Sequence, residues 1–172
     1  MAETLTAPTR TLATSKIAAR MRNPWLLRGF MLAKLPLALF AGLRMRELTD
    51  DRCVVSVPYG WRSTNPFRST YFAALSMAAE MSTGAPAMMA VEMASQPVAM
   101  LIVGMEASFE KKATSTTAFV CEDGHKAFAA VAETIRTGEP VTVRMETVGR
   151  MPDNALVARF VFTWSFKRRS QR

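Results

Sequence analysis

The sequence predicts an α+β fold in which a curved antiparallel β-sheet wraps around one central buried helix. Residues 71–81 are apolar nearly all round, and a helix of that kind must be buried on every side. From Val98 towards the C-terminus the chain carries strand-like segments, each of which offers one apolar face. A sheet that curls around this helix buries the helix on all sides and buries the apolar face of each strand, so the two observations predict this architecture.

The length and composition predict a single folded unit. A chain of 172 residues is about one domain long, and a domain of this size buries roughly 70% of the surface that its unfolded chain exposes. Hydrophobic residues make up 49% and charged residues 21%, which argues against a disordered or fibrous protein. We expect a partly helical N-terminal extension over residues 1–22, one domain over 23–168 and a basic tail over 169–172.

Two helices are predicted ahead of the first strand. One covers residues 14–22, and a second covers 24–42, with Asn23 as its N-cap and Pro24 at the first helical position, where the missing N–H costs nothing. Pro36 should kink or split the second helix. This apolar segment is interrupted by charged residues and by the proline, so we expect two amphipathic helices and no membrane span.

A hairpin is predicted over residues 44–57, where an acidic turn leads into a β-branched run. Ser69 or Thr70 should cap the start of the buried helix, and Gly84, followed two residues later by a proline, should end it. A second short helical segment, 86–94, should begin at that proline.

The rest of the chain predicts antiparallel strands. The expected strands are 98–109, 114–121, 141–148 and 155–166, with an amphipathic helix over 126–137 that Gly138 ends. The last strand alternates between aromatic and more polar residues, the period of a half-buried antiparallel strand. Its aromatic face consists of Phe160, Phe162, Trp164 and Phe166.

Composition also restricts the chemistry. His125 is the only histidine, which argues against Ser-His or Cys-His catalysis and against a histidine-rich metal site, so no metal is expected. Cys53 and Cys121 lack CxxC spacing and are expected to be small buried residues of a reducing compartment, without a disulfide. The formal charge of +8 favours anionic partners, although solvated basic tails account for much of it.

One residue of the buried helix is chemically out of place. Glu80 is the only charged side chain in residues 69–83, and burying an unpaired carboxylate costs several kcal/mol. It should therefore be paired, protonated or directed at a cleft. Ser76 lies one turn earlier on the same face and could hydrogen-bond to it. Alternatively, Glu80 points to solvent near the helix end or forms an ion pair with Arg62 or Arg68.

Asn65 stands in the loop before the helix, fifteen residues ahead of Glu80, and Pro66 restricts it to an extended or turn conformation. On the residues alone, a turn-forming asparagine is the preferred interpretation. The surrounding stretch, residues 62–74 and on to Gly84, indicates more than a turn, because it resembles a known family.

This stretch resembles the start of the central helix in hotdog-fold acyl-CoA thioesterases. In those enzymes an asparagine precedes a small-residue turn into the helix, and an Asp or Glu follows at the separation found here. The strand end over residues 107–112 is similar to the family's F-x-K/R-P pattern. The helical insert before the last two strands looks most like the hotdog branch called domain of unknown function 4442. The resemblance covers roughly residues 23–168.

The resemblance implies hydrolysis of an acyl thioester, with CoA as part of the substrate and no other cofactor. Glu80 would act as general base or nucleophile with its pKa adjusted by burial, and Asn65 would orient the water or the carboxylate. Free N–H groups at the start of the helix would polarise the thioester carbonyl, at Tyr71, Phe72 and Ala73. The substrate-binding candidates are Ser76, Arg62, Arg68, Lys111 and Lys112. A homodimer or a dimer of dimers is also implied, because the family's sites lie at a dimer interface.

Two departures from the family keep a second function open. Many members carry His-Gly-Gly where this chain has Tyr71-Phe72-Ala73, and Val98 stands where some relatives carry Ser or Thr. The alternative is a non-catalytic module that binds an acyl chain or lipid, whose groove some of the thirteen methionines could line. Nucleic-acid binding lacks any recognisable motif and is not expected. We expect a cytoplasmic protein.

Overall fold

The computed structural model describes residues 23–169, which form four helices and six strands. In chain order these are α1 (Pro24–Lys34), α2 (Pro36–Ala41), β1 (Arg44–Leu48), β2 (Cys53–Val57), α3 (Phe72–Met93), β3 (Val98–Phe109), β4 (Thr117–Cys121), α4 (Gly124–Thr137), β5 (Val141–Arg150) and β6 (Leu156–Arg168). The predicted helix over 14–22 and the last three residues of the basic tail lie outside the described residues.

The six strands form one antiparallel sheet in the order β1-β2-β4-β5-β6-β3, so that β1 and β3 are its edges. Helix α3 packs against β2, β4 and β5 on one face of the sheet, and α4 packs beside it. This arrangement confirms the predicted α+β hotdog fold, a curved sheet wrapped around a central helix with extra N-terminal helices.

The N-terminal helices follow the prediction. The Asn23 Oδ1 accepts hydrogen bonds from the N–H groups of Trp25 and Leu26, at 3.0 and 3.3 Å, and so caps α1. Pro36 splits the segment into α1 and α2, because a proline cannot continue the hydrogen-bond ladder of the preceding turn. No helix within residues 23–169 has the length and apolar character needed to cross a membrane.

The end of α3 differs from the prediction. The helix continues through Gly84 and Pro86 to Met93, so the expected break and the separate segment 86–94 are wrong. Thirteen residues of α3 are buried, on all its sides. This burial outweighs the backbone hydrogen bond that Pro86 removes, and the local breaker signal is overridden by packing.

The start of α3 also differs. Its N-cap is Tyr71, which supplies no side-chain cap, so the prediction that Ser69 or Thr70 caps the helix is wrong. The Thr70 Oγ1 instead donates to the carbonyl of Ala113 at 3.2 Å, and the Ser69 Oγ donates to the Asn65 side chain. Both hydroxyls therefore hold the loop in place and leave the first turn of the helix uncapped.

Strand β6 shows the predicted alternation. Its four aromatic side chains, Phe160, Phe162, Trp164 and Phe166, are buried against the helix side of the sheet. Two neighbouring elements begin at other residues than predicted: β4 starts at Thr117, three residues later, and α4 starts at Gly124, two residues earlier. Gly138 ends α4 in the left-handed conformation, as expected, with a φ of 83°.

The two cysteines lie directly opposite each other on β2 and β4, in the register pair Cys53 and Cys121. Both are free thiols and fully buried, which confirms their predicted role as small core residues. Burial raises the pKa of both thiols, that of Cys121 to about 11. Neither is a reactive thiolate at neutral pH.

Candidate functional site

Glu80 lies in the third turn of α3 and faces a cavity of about 110 Å³ between this helix, α1 and the sheet. Its lining is apolar apart from the carboxylate. The lining residues are Leu27, Phe30, Leu35, Met45, Glu80, Met81, Gly84, Ala85, Met88, Met100 and Trp164. A space of 10–15 Å³ is roughly enough for one water, so this cavity can hold a water beside a short apolar group.

The carboxylate of Glu80 is half-buried, and among residues 23–169 it forms no hydrogen bond or ion pair. The alternative of an ion pair with Arg62 or Arg68 is therefore wrong. Ser76 does not bond to it either, because the Ser76 Oγ donates to the carbonyl of Phe72 at 2.9 Å. Of the options that the sequence left, a carboxylate directed at a cleft is the one observed.

Burial raises the pKa of Glu80 above its ordinary value, because the apolar surroundings disfavour the charged form. No cation within the described chain opposes this effect. A carboxyl group of this kind exchanges its proton closer to neutral pH than a surface glutamate does, which suits a general base.

Gly84 makes room for the carboxylate. It follows Glu80 by one helical turn, and a Cβ at this position would stand 2.9 Å from the Glu80 Oε1 and 3.3 Å from the Trp164 ring. The Trp164 ring is itself fixed by a hydrogen bond from its Nε1 to the Thr83 Oγ1, at 3.1 Å. The local sequence instead predicts a helix end at Gly84. The signal that could have identified its role is a glycine four residues after a lone acid, on one face of a buried helix.

The first turn of α3 provides two free donors. The Tyr71 N–H donates to the Ser63 carbonyl at 2.6 Å, so it is not a free donor, in contrast to the other two predicted amides. Within the described residues, the N–H groups of Phe72 and Ala73 have no acceptor. The Tyr71 and Phe72 rings pack edge to face, 5.1 Å apart, and are half exposed.

Asn65 organises the loop before α3. Its Oδ1 accepts hydrogen bonds from the N–H groups of Phe67 and Ser69, at 3.0 and 3.2 Å, and from the Ser69 Oγ at 3.2 Å. This is the turn-forming role that the residues alone favoured. Its Nδ2 donates no hydrogen bond within residues 23–169, and Asn65 is not among the residues that line the Glu80 cavity.

The free amides and Glu80 are separated along the helix. Seven or eight residues at 1.5 Å each place Phe72 and Ala73 roughly 10–12 Å from Glu80 along the axis. One thioester carbonyl needs its donors and its attacking water within about 3 Å. Within one chain these groups therefore cannot act on the same carbonyl.

The basic candidates fall into two places. The Lys112 Nζ lies 3.5 Å from the Phe67 carbonyl, so residues 111–112 and the loop that carries Arg68 meet near the start of α3. Arg62 instead lies beside Gly42, where its guanidinium would be 3.2 Å from an added Cβ. Among the described residues none of the four candidate cations, Arg62, Arg68, Lys111 and Lys112, forms an ion pair with an acidic side chain.

Solved structures share this architecture. A protein of unknown function from Pseudomonas aeruginosa, described as a probable thioesterase, is 17% identical, with a TM-score of 0.70 over 86% of this chain and 97% of that chain. A thioesterase family protein from Silicibacter pomeroyi is 16% identical, with a TM-score of 0.61 over 89% of this chain and 99% of its own. A thioesterase from Haemophilus influenzae is 12% identical, with a TM-score of 0.59 over 80% and 87%. At these identities the similarity establishes the fold.

The family is established by the sequence itself. A comparison with curated proteins gives no match. The family model described as domain of unknown function (DUF4442) matches residues 23–165, which is nearly all of the described chain. The chain, a hotdog fold with one lone carboxylate facing an apolar cavity, therefore belongs to the DUF4442 family.

Proposed function

We propose that this protein hydrolyses an acyl thioester, with an acyl-CoA as the simplest substrate and Glu80 as the general base. The observation that carries the proposal is the lone Glu80 carboxylate at an apolar cavity. A purely structural carboxylate would be expected to have a partner, because an unpaired one lowers stability. The thioesterase descriptions of several structural neighbours support the same reaction class.

In the proposed reaction Glu80 takes a proton from a water molecule, whose oxygen attacks the thioester carbonyl carbon. The C–S bond then breaks, and the sulfur leaves as a thiol after taking up the proton that Glu80 removed from the water. The products are a carboxylic acid and the free thiol, such as CoA. The free N–H groups of Phe72 and Ala73 would stabilise the negative charge that develops on the carbonyl oxygen. The unpaired Arg68, Lys111 and Lys112 near these amides would meet the phosphates of CoA.

For this reaction, the separation between the amides and Glu80 would require a second copy of the chain. Two copies can bring Glu80 of one and the amides of the other to a single carbonyl, and this is the homodimer that the sequence resemblance implies. Strand β3 is a suitable interface because it is a twelve-residue sheet edge with exposed apolar side chains, among them Leu101, Val103 and Met105.

The alternative function is binding of an acyl chain or lipid without turnover. Tyr71 and Phe72, at the position where relatives carry glycines, favour it, since two packed rings stand at the start of α3 where glycines would leave space. A chain that stays monomeric would favour it further. Saturable binding of an acyl-CoA or fatty acid with no thiol release would distinguish this function.

The decisive experiment measures thiol release from a panel of acyl-CoAs of different chain length. Glu80→Gln should lower kcat by about 10²–10⁴-fold, the usual contribution of a general base. Glu106→Gln, which removes a carboxylate from the outer face of the sheet, is the matched control and should stay within about twofold of wild type.

A second variant examines Asn65 apart from its role in the loop. Asn65→Asp keeps an oxygen that can accept the three loop hydrogen bonds and removes the Nδ2 donor. A fall in kcat of tenfold or more at unchanged melting temperature, roughly the loss of one hydrogen bond to a charged group, would assign Asn65 to substrate or water orientation.

For the Glu80 experiment, turnover of Glu80→Gln at the wild-type rate would refute the proposed base.

A further inference from the structure

The outer side of α1 and α2 carries an apolar surface that the fold does not use. Its residues, called here the outer helical face, are Trp25, Leu26, Leu32, Leu37, Phe40 and Trp61. Trp25 is 77% exposed, Leu32 67% and Trp61 81%. Large apolar side chains that are exposed together on one face of a helix pair are typical of a docking surface. The inner sides of the same helices are buried through Leu27, Met31, Ala38 and Ala41.

Aromatic contacts extend this face beyond the helices. The Trp61 ring, from the loop before α3, packs edge to face on Phe40 at 5.9 Å. At the other end, the Arg28 guanidinium lies 5.5 Å from the centre of the Trp25 ring. Tryptophan beside a cation is the combination that prefers the boundary between lipid headgroups and acyl chains.

The stretch of sequence that contains α1 and α2 carries charge of one sign. Residues 4–46 carry eight basic side chains and no acidic one. The remaining 14 basic residues of the chain are balanced in number by its 14 acidic residues. The whole formal charge of +8 thus belongs to the segment that contains α1 and α2. On α1, the exposed cations of this segment are Arg28 and Lys34.

We propose that the outer helical face docks onto an anionic phospholipid surface, with the apolar side chains inserted among the headgroups and the cations paired with lipid phosphates. Charge complementarity favours this occupant. A second copy would bring two cationic faces together in a two-fold interface, at an electrostatic cost. Residues 1–22 would also bring positive charge to this cationic face, since they carry four basic residues and one acidic residue. We therefore do not choose them as its occupant.

The docking surface and the Glu80 cavity share α1. Leu27 and Phe30, on the inner side of this helix, line the cavity, as does Leu35 in the link to α2. An acyl chain that leaves the bilayer would thus reach Glu80 by a short path. This consequence depends on the proposed function, whereas binding to lipid does not, so Glu80→Gln should bind vesicles like wild type even if turnover proves absent.

The test is co-sedimentation of the full chain with vesicles of phosphatidylcholine alone or mixed with phosphatidylglycerol. Wild type should bind the mixed vesicles and bind pure phosphatidylcholine at least tenfold more weakly. The double variant L32S/L37S should lower the partition coefficient by about tenfold or more, through lost apolar burial. The double variant R28Q/K34Q should lower it by roughly fivefold per charge on mixed vesicles only.

Phe67→Ser is the matched control, because Phe67 is 73% exposed and belongs neither to this face nor to strand β3. It should bind mixed vesicles within about twofold of wild type. Circular dichroism and size-exclusion chromatography of each variant show that folding and oligomeric state are retained. The proposal is overturned if wild type fails to bind mixed vesicles at low salt. It is equally overturned if Phe67→Ser loses as much binding as L32S/L37S, or if L32S/L37S instead dissociates an oligomer.

Discussion

Two glutamates of this protein stand in opposite environments. Glu80, on the central helix, has no partner within the described chain, and burial raises its pKa. Glu106, on the outer face of the sheet, receives two hydrogen bonds from the Arg144 guanidinium, and these lower its pKa. Both side chains could be read from the sequence as ordinary charges. The difference is that water and an arginine stabilise Glu106, whereas no cation or hydrogen-bond donor among residues 23–169 stabilises Glu80.

The outer face of the sheet shows how this fold usually manages its charges. Next to Glu106 and Arg144, Glu146 pairs with Arg159, and the Glu146 N–H donates to the Asp123 carboxylate. Such exposed pairs contribute little to stability but leave no charge unsatisfied. Against this background, the lone carboxylate of Glu80 is an energetic cost that the fold retains, as functional groups commonly are.

The largest effect is expected from filling the space beside Glu80. Gly84→Val should lower the free energy of unfolding by about 1–3 kcal/mol, because its side chain would meet the Glu80 carboxylate and the Trp164 ring. Gly29→Val, on the open side of α1, should change it by less than about 0.5 kcal/mol. Urea unfolding measures both. Equal effects would show that the space beside Glu80 is not restricted.

Removing the charge of Glu80 should stabilise the protein. The native pKa is raised, so the native state holds its proton more tightly than the unfolded chain does. Stability from this group is therefore full below the ordinary pKa of 4.5 and falls as the pH rises through the native pKa. Glu80→Gln should remove that fall and unfold at higher urea concentration than wild type at pH 7.

The measurement is a series of urea unfolding curves from pH 4 to pH 8 for wild type and Glu80→Gln. Above the native pKa the two free energies of unfolding should differ by a constant amount, and they should converge at the acidic end. Curves that stay parallel across the whole range would mean that Glu80 is not shifted by burial.

The smallest effect is expected at the outer pair. Glu106→Gln should leave the melting temperature close to that of wild type, because both partners are exposed and water replaces the lost contact. A slight decrease should be seen at low salt and should vanish at high salt. Calorimetry at two salt concentrations measures it. A large decrease in melting temperature that does not depend on salt would show that the fold needs this ion pair, and it would weaken the contrast with Glu80.

Much of the fold follows from local patterns. Asn23 and Pro36 set the bounds of α1 and α2, because capping and the missing proline N–H act within one turn. The alternation in β6 identified its buried face, since the strand period is two residues. Similar reasoning identifies Glu80, as the only charge within the apolar residues 69–83.

Other features were beyond the reach of local patterns. The continuation of α3 through Pro86 depends on burial by distant strands, which the neighbouring residues do not encode. The cross-strand position of Cys53 and Cys121 depends on the pairing of β2 with β4, which are separated by the whole of α3. The loop bonds of Asn65 were predicted as a turn, whereas its proposed part in catalysis is still a prediction.

The sequence by itself determined that one helix must be enclosed by a sheet, and that its apolar part over residues 69–83 carries a single carboxylate. Both follow from short-range periodicity and from the cost of burying charge. Only the tertiary structure decided that the carboxylate faces a cavity and that Gly84 leaves room for it. These depend on how distant segments pack around α3, because free space beside a side chain belongs to the assembled fold and to no single stretch of the chain.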